Sequence, residues 1–118
     1  MTKKADRLVS DVSALTEASK ALREVLVRYE RALTALATRV KRGQSVLEAF
    51  DAMDGAMSRH RELTEALDEL EATRHQVRLA LFSLASAQGA STSELGRRLG
   101  VSRQLASRLA SKSERGRS

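Results

Sequence analysis

The chain has no cysteine, no proline and no tryptophan, and its aromatic residues are one tyrosine and two phenylalanines. Without cysteine there is no disulfide framework, no thiolate zinc site and no thiol nucleophile, a pattern that suits a reducing cytosol. Without proline, and with Leu, Ala, Arg, Glu and Ser dominant, the composition favours long helices over sheets, so an all-α fold is expected. No apolar run approaches the roughly 18 to 20 residues that span a bilayer, and the stretch from Met1 to Arg7 is charged. Neither secretion nor membrane insertion is indicated, and the expected place is the cytoplasm, at the nucleoid.

Catalytic signatures are missing as well. There is no glycine-rich phosphate loop and no nucleophile elbow, and His60 and His75 stand fifteen residues apart with no cysteine near them. No catalytic residue, metal site or cofactor is expected, an enzyme is not expected, and no small-molecule ligand can be assigned. At 118 residues the chain fits one compact domain, or a small domain joined to an extended helical element.

What is present is charge, unevenly placed. The net charge of +6 divides into +5 over residues 1–42, −6 over 43–72 and +7 over 73–118. Two antiparallel helices side by side would favour the first two segments, because opposite fields attract. The third segment has no acidic counterpart left in the chain. A phosphate backbone is the natural external one, since Lys and Arg that displace condensed counterions gain affinity.

Apolar residues repeat every seven positions from Ala5 to Arg42. Leu8, Leu15, Leu22, Tyr29 and Leu36 form one series; Val12, Leu26, Leu33 and Val40 form a second, interrupted at Ser19. This is the pattern of a helix whose seam packs on another helix, within the chain, between chains or both, and Leu8, Val12, Leu15, Leu22, Leu26, Tyr29, Leu33 and Leu36 are its candidate dimerisation residues. Val9, Val25 and Val27, with Ala18 and Ala32, widen the seam beyond a two-stranded stripe. Lys41, Arg42 and Gly43 have the character of a helix end, and Ser45 with Glu48 forms a capping box that starts the next helix. The second arm of the resulting hairpin carries Val46, Phe50, Met53, Met57, Leu63, Leu67 and Leu70 on one face. Asp51, Asp54, Glu62, Glu65, Asp68 and Glu69 lie mostly elsewhere. Gly55 weakens this arm by about 1 kcal/mol relative to Ala without having to break it. The stripe Leu67, Leu70, Val77, Leu81 and Leu84 keeps one phase, so the arm either runs unbroken towards Gln88 or opens a joint at Ala72, Thr73 and Arg74.

Gln88 and Gly89 end a helix, and Ser91 with Glu94 opens another from Thr92 to Leu99. Gly100, Val101 and Ser102 follow, then a helical stretch from Arg103 to about Lys112. This run, Ser91-Thr92-Ser93-Glu94-Leu95-Gly96-Arg97-Arg98-Leu99-Gly100-Val101-Ser102-Arg103-Gln104-Leu105-Ala106-Ser107-Arg108-Leu109, closely resembles the helix-turn-helix family of DNA-binding proteins. It is also similar to the promoter-reading module of sigma factors. In such a unit Gly96 is the small residue where two helices cross, Gly100 permits the turn and Val101 plugs the angle. Leu95, Leu99, Ala106 and Leu109 would close a small core against Val77, Leu81 and Leu84. After Lys112 too few residues remain for a β-wing.

The resemblance implies binding to double-stranded DNA. Ser102 caps the second helix and turns Arg103, Gln104, Ser107 and Arg108 outward as candidate major-groove readers: Arg suits guanine, Gln suits adenine and Ser is permissive. Thr92, Ser93, Arg97, Arg98, Ser102, Lys112 and Arg115 are candidates for backbone contact, with Arg117 extending the positive surface. The expected organisation is a dimerising hairpin over 1–72, a DNA-binding unit over 73–112 and a basic flexible tail over 113–118. The expected protein is a homodimeric, sequence-specific transcriptional regulator. A nonspecific nucleoid-associated DNA binder and a protein-interaction adaptor are the alternatives.

Overall fold

The computed structural model describes residues 2–53 and 55–115, without the side chains of Ala56, Met57 and Arg115. Expectations placed on Asp54, on the Met57 and Arg115 side chains and on Arg117 lie outside the described residues. The fold is all-α, with five helices and no strand among the described residues: α1 Lys3–Lys41, α2 Val46–Ala52, α3 Ala56–Ala87, α4 Thr92–Leu99 and α5 Arg103–Arg115. No helix among them is long and apolar enough to cross a membrane.

Local chemistry sets the helix starts. The Ala5 N–H donates to Thr2 Oγ1 (3.1 Å), and the Glu48 N–H donates to Ser45 Oγ (3.2 Å). Each bond satisfies one of the amide donors that a first helical turn leaves without a partner. Asp6 in the first turn of α1 and Arg39 and Lys41 in its last turn complement the helix dipole.

The second arm departs from the expectation at Gly55. α2 ends at Ala52, Met53 is extended (φ −96°, ψ 100°), and Gly55 adopts φ +79°, so α3 starts as a separate helix. Glycine reaches the left-handed region without the Cβ penalty that other residues incur, and it loses more freedom than they do inside a helix. Both effects favour a break here. From Ala56 to Ala87, in contrast, α3 is unbroken, and no joint opens at Ala72, Thr73 and Arg74.

Contacts gather the chain into two compact units. In the unit Glu17–Glu71, α1 lies against α2 and the first half of α3. Ala49 of α2 is fully buried, which lets that short helix sit close. Leu22, Leu26, Tyr29 and Leu36 are half-buried, whereas Leu33 and Val40 of the second heptad series stay exposed. The opposite charges of the two arms meet where Glu62 accepts from Arg28 Nε at 3.3 Å, and Glu62 also accepts from Arg59 Nη1 of its own helix at 3.3 Å. These groups are about a third exposed or more, so screening leaves the pairs worth at most about 1 kcal/mol.

The other unit comprises Met1–Thr16 and Ala72–Ser118. In its α1 segment, Leu8 and Leu15 are half-buried and Val12 is exposed. Its core is Phe82, Ala106 and Leu109, with Leu79, Leu95, Val101, Leu105 and Ala110 packed around them. Two expectations change here. α3 meets α4 and α5 through Leu79 and Phe82, not through Val77, Leu81 and Leu84, which occupy roughly the opposite side of a 3.6-residue helix. Leu99 does not enter the core, being 37% exposed. α5 also passes the expected end and continues to Arg115, so the first residues assigned to a flexible tail are helical. Ser113 is buried on its inner face, and its hydroxyl donates to the Ala110 carbonyl at 2.8 Å.

Candidate nucleic-acid interface

The α4–α5 pair is assembled from four local devices. Ser91 Oγ accepts the Glu94 N–H at 3.1 Å and starts α4. Gly100 ends it in the left-handed conformation (φ 71°, ψ 25°), its N–H turned back to the carbonyls of Arg97 and Gly96. Ser102 Oγ accepts the Leu105 N–H at 3.1 Å and starts α5. Gly96 sets the separation. It is buried, and a Cβ built on it would lie 2.9 Å from the Ala106 Cβ and 3.8 Å from Val101 Cγ2. Only a residue without a side chain lets the helices approach this closely.

Close approach leaves a groove on the solvent side, with a volume of about 530 Å³. α4 lines it with Thr92, Ser93 and Arg97, and α5 with Arg103, Ser107, Ser111 and Glu114. Gly96, Val101, Ala106 and Ala110 form its apolar floor. Five of the residues singled out in the sequence therefore come together: Thr92, Ser93, Arg97, Arg103 and Ser107. All five are exposed.

Gln104, Arg108 and Lys112 are exposed on α5 but lie outside the groove lining. Arg103, Gln104, Ser107 and Arg108 still share an outward arc of about 140° at 100° per residue. Arg98 turns away and donates from Nη1 to the Glu94 carbonyl of its own helix at 3.3 Å. The Ser102 hydroxyl is engaged as a cap through its oxygen, and its own proton remains available to an external acceptor.

Ser111 and Glu114 were missed by sequence reasoning. Their signal is the stripe 103, 107, 111, 114, which follows helical spacing: Ser111 falls within the expected helix, and Glu114 joins the stripe only once α5 is known to pass Lys112. Their presence makes the groove electrostatically polar: Arg97 and Arg103 line it, and Glu114 stands about 16 Å further along α5 than Arg103. Among the described residues no cluster of His, Asp or Glu has the grouping that could hold a metal ion. Compared with known protein families, curated proteins and solved structures, the chain matches none of them.

Proposed function

We propose that α4 and α5 form a helix-turn-helix unit that reads the major groove of duplex DNA with α5, in a homodimeric transcriptional regulator. One observation carries the reading: the Gly96–Ala106 crossing sets Arg97, Thr92 and Ser93 of one helix beside Arg103 and Ser107 of the next in a single solvent-open groove. The first three suit phosphate oxygens, and the start of α4 adds N–H groups that favour anions. Along α5, small Ser107 and Ser111 let the helix approach base edges, and Arg103, Gln104 and Arg108 supply donors and acceptors of suitable length. The +7 charge of residues 73–118 fits a phosphate partner.

A reader of this size covers few base pairs, and two copies on half-sites about one helical turn apart are the usual remedy. The proposed protein is therefore a homodimer.

The reading is tested by selecting bound duplexes from a randomised library at near-physiological salt, with an Arg103→Ala/Arg108→Ala variant in parallel. Enrichment of a two-fold-related motif that the variant loses is the expected result. Salt-sensitive binding with no enriched sequence would replace it with a nonspecific architectural role. Absence of binding would leave an interaction adaptor.

A further inference from the structure

In the unit Glu17–Glu71 two features have no part in DNA reading. Tyr29, Leu33 and Leu36 of α1, with Phe50 and Met53, line an apolar cavity of about 300 Å³, and Leu33 and Phe50 at its edge are exposed. Beside it, sharing Met53 and Arg59, is a depression lined by four guanidinium groups: Arg28, Arg31, Arg39 and Arg59. Arg28 and Arg59 divide one carboxylate, Glu62, between them, and Arg39 donates to the neutral Gln44 amide at 3.5 Å. Arg31 has no ion-pair partner among the described residues.

α2 offers the complementary pattern. With Ala49 fully buried, the outward face of this helix is the one holding Leu47 and Asp51, one turn apart. Leu47 is 76% exposed, the highest value of any large hydrophobic residue described. Asp51 is exposed, and among the described residues it has no ion-pair partner.

We propose that this face is the homodimer interface: α2 of each copy seats Leu47 in the partner's apolar cavity and lays Asp51 on the partner's arginine cluster, at Arg31. Leu47 and Asp51 belong to the same short helix as Phe50, which lines the cavity, so a two-fold axis that sets the α2 helices of two copies side by side would make each contact twice and close the pair instead of growing a filament. An apolar centre rimmed by ion pairs is the usual anatomy of such a contact. A small ligand would fill the cavity and leave Leu47 and Asp51 in water, whereas a second copy gives the cavity, the unpaired Arg31 and the exposed α2 face their partners together. Tyr29, Leu33 and Leu36 of the heptad series thereby act in dimerisation through the cavity they line. The inference deepens the dimeric reading above and does not depend on DNA.

The test is sedimentation equilibrium of the full chain without DNA, with circular dichroism to confirm that each variant is folded. Leu47→Ala removes an exposed side chain, so it spares the monomer fold, and it should raise the dimer Kd on the order of a hundredfold. Asp51→Arg and Arg31→Asp should each raise it about tenfold, and the double variant should recover most of that loss. Val12→Ser, on the first turns of α1, should leave it unchanged. A monomeric wild-type chain would overturn the inference, and saturable uptake of decanoate by that monomer would assign the cavity to a small amphipathic anion. A dimer indifferent to Leu47→Ala but weakened by Val12→Ser would overturn it in favour of an α1 seam. Since no DNA is present, either result is separable from whether α5 reads bases.

Discussion

Gly96 and Ala106 face each other so closely that the hydrogen on the Gly96 Cα occupies the place where a methyl group would stand 2.9 Å from the Ala106 Cβ. Neither partner has a flexible side chain that could swing aside. Any adjustment must therefore come from the helices themselves, and the geometry of the α4–α5 pair depends on a missing carbon atom.

Gly96→Ala should accordingly destabilise the chain. Alanine favours a helix interior by about 1 kcal/mol over glycine, but overpacking a rigid contact costs about 1–3 kcal/mol, and the second effect should prevail. Adding Ala106→Gly removes the opposing methyl and should recover part of the loss, which thermal or urea denaturation of the four members of the cycle will measure. A stabilised Gly96→Ala single variant would show that the crossing can open without cost.

Phe82 and Leu99 should separate clearly in the same assay. Phe82 is 3% exposed at the centre of its unit, so Phe82→Ala should cost about 3–5 kcal/mol. Leu99 lies at the surface, and Leu99→Ala should remain within about 1 kcal/mol. The reverse ranking would restore the core expected from the sequence.

Glu114 lines the groove with Thr92, at the positive end of α4. There its carboxylate favours the folded chain and opposes an incoming phosphate, so Glu114→Gln should move the two quantities in opposite directions. Stability should fall by roughly 0.3–1 kcal/mol, and DNA affinity at low salt should rise about twofold to fivefold. Weakened DNA binding would instead mark Glu114 as a base-reading acceptor, as a carboxylate facing cytosine would be.

The legible parts of this fold are those governed by neighbours in sequence. Ser91, Ser102 and Gly100 act within three or four residues of themselves, and each performs the expected capping or turning role. Gly96 was legible through the resemblance to helix-turn-helix units, in which a small residue stands where the two helices cross. Gly55 was not, since a cost of about 1 kcal/mol is decided by tertiary packing, here the close seating of α2 through Ala49. Nor was the use of α3. That helix has apolar residues on two sides, and periodicity alone does not tell whether Val77, Leu81 and Leu84 or Leu79 and Phe82 meet α4 and α5. The end of α5 was hidden by weak helix formers at Ser111 and Ser113, although Ser113 satisfies its hydroxyl on the Ala110 carbonyl and is buried. With that turn unread, Glu114, the last residue of the stripe that lines the groove, was out of sight.

Arg97 and Arg103 line one groove from different helices, and the proposed function gives them different roles that salt dependence can distinguish. Arg97 belongs to α4, which in this docking lies across the phosphate backbone. Arg97→Ala should therefore weaken all duplexes alike and reduce the slope of log K against log salt by about 1. Arg103 belongs to the first turn of α5, where side chains reach base edges. Arg103→Ala should cost about 1–3 kcal/mol on the selected site, relax preference at one base pair and leave the salt slope nearly unchanged. Titrating both variants against the selected duplex and a scrambled one at several salt concentrations measures all of these quantities. Exchange of the two signatures would mean that α4 enters the groove and α5 follows the backbone, reversing the docking while preserving DNA binding.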